Sequence, residues 1–126
     1  MAIESAAAFL LIVTVSFGAR DARCVVATGE RHSFVSRAVA HEAGPWRLPP
    51  ERDLSFFERA IGAERRVYPH AAGRHLAWRD AEVSVVGPDF FVAGADCVLG
   101  MNLLRAVPGG VVLDWDAQEL RPAAPE

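Results

Sequence analysis

The hydrophobic and polar positions of this chain alternate in short runs broken by turns. Val13, Val15 and Phe17 alternate with Thr14 and Ser16, a period of two that sends successive side chains to opposite faces of a strand. Gly18-Ala19-Arg20-Asp21 supplies turn residues, and a second apolar run, Ala22 to Ala27, follows, so the two segments read as a β-hairpin. Thr28-Gly29-Glu30 ends that run, and Ser33 to Ala43, with Phe34, Val35, Ala38 and Val39, reads as a short helical turn leaving the strand. Glu51 to Ile61 predicts a helix with Leu54, Phe57 and Ile61 on one face and Gly62 closing it. Val67 to Leu76 reads as extended with a turn, and Glu82 to Val86 and Phe90 to Val92 as strands about the turn Gly87-Pro88-Asp89. Val98-Leu99-Gly100 is a short buried strand, Asn102 to Ala106 a short helix and Val111 to Trp115 a strand. Asp116-Ala117-Gln118 turns the chain towards Glu119 to Arg121, and the tail 122–126 is expected to fray. This succession predicts an all-β fold, a small closed or sandwich-like β-barrel, without internal repeats.

Composition narrows the reading. A chain of 126 residues with 52% hydrophobic and 23% charged residues fits a single globular domain, 1–126, with a core over about 9–121. A net charge of -3 with scattered arginines, Arg65-Arg66 being the one adjacent pair, gives no footprint for nucleic acid. The apolar stretch Ala6 to Val15 falls short of the roughly 20 residues a membrane span needs. Glu4 precedes it in place of a basic residue, so a first strand is the better reading than an export signal. Cys24 and Cys97 sit among Val and Leu in no metal-ligand spacing and read as small buried hydrophobes, with a disulfide as the alternative. Unpaired cysteines and no export signal point to a cytoplasmic location.

Candidate chemistry comes from two segments together: Cys24-Val25-Val26-Ala27-Thr28-Gly29-Glu30-Arg31-His32-Ser33-Phe34, and Asp96-Cys97-Val98-Leu99-Gly100-Met101-Asn102-Leu103-Leu104. A hydrophobic strand running into x-Thr-Gly, followed far downstream by an apolar pair, a Gly and a short helix, resembles the retropepsin-like aspartic peptidases. The resemblance covers about residues 9 to 121. It implies a barrel with a flap hairpin and one short helix in the C-terminal half, and a two-fold homodimer binding an extended peptide. It also implies two carboxylates, one per copy, sharing a proton and activating water, and no cofactor or metal. Thr28 would lock the paired active-site loops, Gly29 would let backbone approach the peptide, and Glu30 and Arg31 would face substrate. Val98, Leu99 and Gly100 would pack beneath the loop. Val67 to Trp78 best matches the flap, with Ala72-Gly73 at its tip.

Ala27 departs from that pattern, standing where the family carries Asp. A methyl group neither takes a proton nor holds a charge, so the expectation is a catalytically dead site. Two readings follow: a peptidase carried as an Asp-to-Ala variant, or a natural pseudopeptidase kept for dimerisation or peptide binding. Glu30, where a small residue is usual, motivates the second. A Pro/Ala-rich tail also suggests excision from a longer precursor. Other chemistries fare worse. His32, His41, His70 and His75 share no ligand spacing. There is no Gly-x-Ser-x-Gly elbow beside Ser33, and no phosphate-cradling Gly-rich loop. A plain interaction barrel of other ancestry is the remaining alternative.

Overall fold

The computed structural model describes residues 10–49, 56–92 and 94–123. Its strands are β1 (Ile12–Phe17), β2 (Arg20–Val26), β3 (Phe34–Ser36), β4 (Glu64–Ala72), β5 (Ala77–Val86), β6 (Cys97–Leu99), β7 (Val111–Asp114) and β8 (Glu119–Pro122). Among the described residues three short α-helices join them: α1 (Arg37–Glu42), α2 (Phe56–Ala60) and α3 (Met101–Leu104). Six strands close a barrel in the order β1-β2-β6-β3-β5-β4, while β7 and β8 pair as a separate two-stranded sheet.

The alternation read in β1 is the barrel's inside-outside code: Val15 and Phe17 are buried, Thr14 is exposed. Gly18 makes the β1–β2 turn at φ +67, and a side chain there would sit 2.5 Å from the Gly44 nitrogen. The turn is therefore tighter than Gly18 to Asp21, with Arg20 and Asp21 already in β2. The core holds Phe17 against Tyr68 (ring centroids 5.5 Å apart), with Trp78, Val83, Leu99 and Leu103. Trp78 also anchors α3 by donating to the Leu103 carbonyl at 2.8 Å.

β6 is inserted between β2 and β3, parallel to β2 (Cys24 beside Cys97, Val25 beside Val98, Val26 beside Leu99) and antiparallel to β3. Both cysteines are fully buried free thiols side by side in this register, as hydrophobes rather than a disulfide. Burial first, then the neighbouring Cys24 thiol, pushes the Cys97 thiol well above its ordinary range, which keeps it protonated and unreactive.

Several expectations are corrected. Ser33 to Ala43 begins as strand β3 and becomes helical only after Ser36, whose side chain caps α1 by accepting from the Val39 N–H. Phe90 to Val92 is no strand: Pro88 starts a 3-10 turn over Pro88–Phe90, with Phe91 N–H bonded to the Pro88 carbonyl, and Phe90 packs on Phe34 at 4.6 Å. The expected helix 51–61 is described only from Phe56, so Leu54 lies outside the described residues. It buries Glu58, not Phe57, which is exposed. Pro122 ends β8 and Ala123 bonds the Gly110 carbonyl, so the ordered chain runs further than expected; 124–126 lie outside the described residues.

Candidate functional site

β2 delivers Ala27 to the barrel rim, where its N–H bonds the Leu99 carbonyl at 2.9 Å across the parallel β2–β6 pair. The chain then turns: Glu30 N–H bonds the Ala27 carbonyl at 3.2 Å, leaving Thr28, Gly29, Glu30 and Arg31 exposed and Ala27 half-buried. The distant second segment closes under this loop. Met101 N–H bonds the Glu30 carbonyl (2.7 Å), and Asn102 N–H bonds the Arg31 carbonyl (3.1 Å). Gly100 makes the closure possible, because a Cβ there would lie 2.1 Å from the His32 carbonyl oxygen and 3.0 Å from that of Glu30.

Side chains lock the junction. Ser33 Oγ accepts from the Gly100 N–H at 2.8 Å and donates to Asn102 Oδ1 at 2.6 Å, while Asn102 Nδ2 donates to the Glu82 carbonyl at 2.8 Å. These bonds satisfy groups at a half-buried crossing and hold residues 27–33 in one conformation. They also dispose of the His32–Ser33 hydrolase idea: the serine hydroxyl serves the backbone, and His32 Nε2 lies 3.8 Å from Glu58. Neither Ser33 nor Asn102 was singled out from sequence for this role.

Leu99 and Gly100 lie against the loop, through the Leu99 carbonyl on the Ala27 N–H and the close approach of Gly100 to the His32 carbonyl. Val98 points the other way, into an outer apolar cluster with Phe34, Ala63, Val86, Phe90 and Phe91. Asp96 is structural: its carboxylate accepts from the Arg23 N–H at 2.6 Å, and its carbonyl from the Ser36 N–H at 3.0 Å, pinning the start of β6 between β2 and β3. The hairpin expected as a flap is present as β4–β5, but both strands are barrel staves. Its turn lies against β1, with Ala72 beside Ser16, and is tied to β8 through Arg74 (3.0 Å) and His75 (2.9 Å) on Glu119. Those contacts hold the turn after Ala72 against β1 and β8.

A buried ionic cluster went unread in the sequence. Glu58 is fully buried and takes two hydrogen bonds from Arg65 (2.7 and 3.1 Å) and one from Ser84 Oγ (2.6 Å). Arg65 reaches Glu82 as well, at 3.3 Å. The hydrogen bonds that Arg65 donates to Glu58 raise the guanidinium above its ordinary value, so it stays charged. The cluster fastens α2 to the outer face of β4 and β5.

Chemically, the loop offers backbone, a hydroxyl at Thr28 and a methyl at Ala27. The Thr28 hydroxyl has no hydrogen-bond partner among the described residues. Among those residues, no group of three or more His, Cys, Asp or Glu is placed to hold a metal. No helix among the described residues is long and apolar enough to cross a membrane.

Two solved structures share this architecture. A retropepsin-like aspartic protease from Rickettsia conorii superposes with a TM-score of 0.59 at 15% identity, covering 83% of this chain and 76% of its own. The fold is retropepsin-like. The retroviral protease-like domain of Ddi1 from Leishmania major superposes with a TM-score of 0.60, also at 15% identity, covering 90% of this chain and 87% of its own. No family model matches the sequence, and no curated protein matches it.

Proposed function

We propose that this chain is an aspartic-endopeptidase scaffold that pairs two-fold with a second copy, binds an extended peptide between the copies, and does not cleave it because Ala27 replaces the water-activating Asp. The observation that carries the reading is the crossing itself: Ala27 bonded to the Leu99 carbonyl above Gly100, where a side chain would collide with the His32 carbonyl, on a retropepsin-like barrel. That arrangement holds residue 27 rigidly at the rim, as a residue sharing a proton with its symmetry mate requires. Thr28 supports the dimer, because its exposed hydroxyl is left to pair across the two-fold axis. Thr28, Gly29, Glu30 and Arg31 are the proposed contacts to partner loop and peptide.

The β7–β8 sheet supports the same dimer. It packs on the barrel through Leu113 and Leu120, and Val112 (42%) and, in the turn after β7, Trp115 (49%) stay exposed, apolar surface of the kind that interfaces cover. Trp115→Glu is expected to convert a dimer to a monomer in light scattering, with the far-ultraviolet spectrum unchanged. A dimer that persists would place the interface elsewhere.

The second reading, a natural pseudopeptidase that binds without cutting, is favoured by Glu30. Its side chain is exposed and its backbone already serves the Met101 bond, so the loop tolerates the residue without needing it. Ala27→Asp with a peptide library separates the two. A chain lacking only its carboxylate gains turnover blocked by a statine-type inhibitor, and a chain specialised for binding does not.

A further inference from the structure

Away from residue 27, a polar recess lies where α1 faces the β4–β5 wall. It is lined by Arg37, Ala40 and His41 on one side and by Gly62, Glu64, Arg66 and Val85 on the other. Three of these groups can carry positive charge and one is a carboxylate. Arg37 and His41 have no ion pair or side-chain hydrogen bond among the described residues.

Arg66 is held ready rather than satisfied. Its guanidinium stacks over the Trp46 ring at 4.1 Å, and one terminal nitrogen donates to the Ala40 carbonyl at a long 3.4 Å. The other lies 3.5 Å from the exposed Glu64 carboxylate, and Nε is buried with no hydrogen-bond partner among the described residues. A buried donor without an acceptor is destabilising unless something fills the place. Stacking fixes the plane of the guanidinium, so its fork meets an oxyanion with little further loss of freedom.

We propose that this recess binds a phosphate-type oxyanion, held by Arg37 and Arg66 with His41 at the rim. Fork-shaped arginine donors match tetrahedral oxygens, and charge-assisted bonds to such oxygens are the strong ones. Glu64 subtracts one charge, and its 3.5 Å contact with Arg66 is loose enough to yield to a dianion. The same chemistry is offered by free phosphate and by a phosphoryl group carried on a larger molecule. The proposal is independent of the reading of Ala27.

The test is a nuclear magnetic resonance titration of the full chain with inorganic phosphate, with sodium chloride adjusted to keep ionic strength constant. Saturable shifts are expected in the amides of 37–41 and 62–66. Arg37→Gln, a change at an exposed position, is expected to weaken binding by about tenfold or more without altering Tm in phosphate-free buffer. Arg66→Lys keeps the charge and the stem while removing the fork, and is expected to weaken binding as well. Phenyl phosphate binding more tightly than inorganic phosphate identifies a carried phosphoryl group; equal or weaker binding identifies the free ion. Shifts that do not saturate, shifts reproduced by chloride, or unchanged affinity in both variants would overturn the proposal.

Discussion

Gly100→Ala is expected to destabilise the chain severely. The added methyl would lie 2.1 Å from the His32 carbonyl oxygen and 2.6 Å from its carbon. These are backbone atoms, which cannot swing aside as a side-chain tip can. Relief requires moving the loop or β6, and either movement breaks the Met101–Glu30, Asn102–Arg31 and Gly100–Ser33 bonds together. Overpacking of this kind, with buried bonds lost besides, costs about 3 kcal/mol or more, against a total of roughly 5–15 kcal/mol for a typical domain. Thermal unfolding should show a Tm fall of more than about 10 °C. Gly29→Ala is the control, since a Cβ there meets nothing within 4 Å. An unchanged Tm for Gly100→Ala would mean that the crossing is looser than described.

Arg65→Met should be nearly as damaging, for an electrostatic reason. It strips two charge-assisted hydrogen bonds, at 2.7 and 3.1 Å, from a fully buried Glu58 carboxylate. Removing one partner of a buried pair costs about 3–5 kcal/mol, because the other charge stays desolvated. The Arg65 side chain is only 13% exposed, so solvent screening offsets little of this. The double variant Glu58→Leu with Arg65→Met removes both charges and is expected to recover much of the loss. Denaturant unfolding of the two singles and the double checks the pair. Additive losses in the double would show that the two residues do not interact.

Much of the barrel was legible in the sequence, for identifiable reasons. The β1–β2 hairpin shows in the alternation of Val13, Val15 and Phe17 and in Gly18, and the crossing shows in Thr28-Gly29 paired with Leu99-Gly100. What escaped depends on partners distant in sequence. Phe90 to Val92 carries a strand's composition, but Pro88 starts a tight turn and Phe34 offers Phe90 a place to pack. Glu58 looked like the polar side of an amphipathic helix. Its burial depends on Arg65 and Ser84, which β4 and β5 bring beneath it. Ala72-Gly73 correctly marked a hairpin, yet turn residues announce a reversal and not its use; Glu119, far along the chain, holds that turn against β8. In the candidate site the two segments carrying Ala27, Leu99 and Gly100 stood out as motifs, whereas Ser33 and Asn102 acquire their hydrogen bonds only when those segments meet.

The central claim is that the rim around residue 27 is a peptidase site lacking only its carboxylate. The most direct measurement is peptide cleavage by Ala27→Asp against a peptide library, with oligomeric state recorded alongside. The account predicts turnover at least ~10³-fold above the Ala27 chain, blocked by a statine-type inhibitor. The rate should be bell-shaped in pH, because one carboxyl of the pair must be ionised and the other protonated. A folded, dimeric Ala27→Asp chain with no turnover at any pH would contradict it.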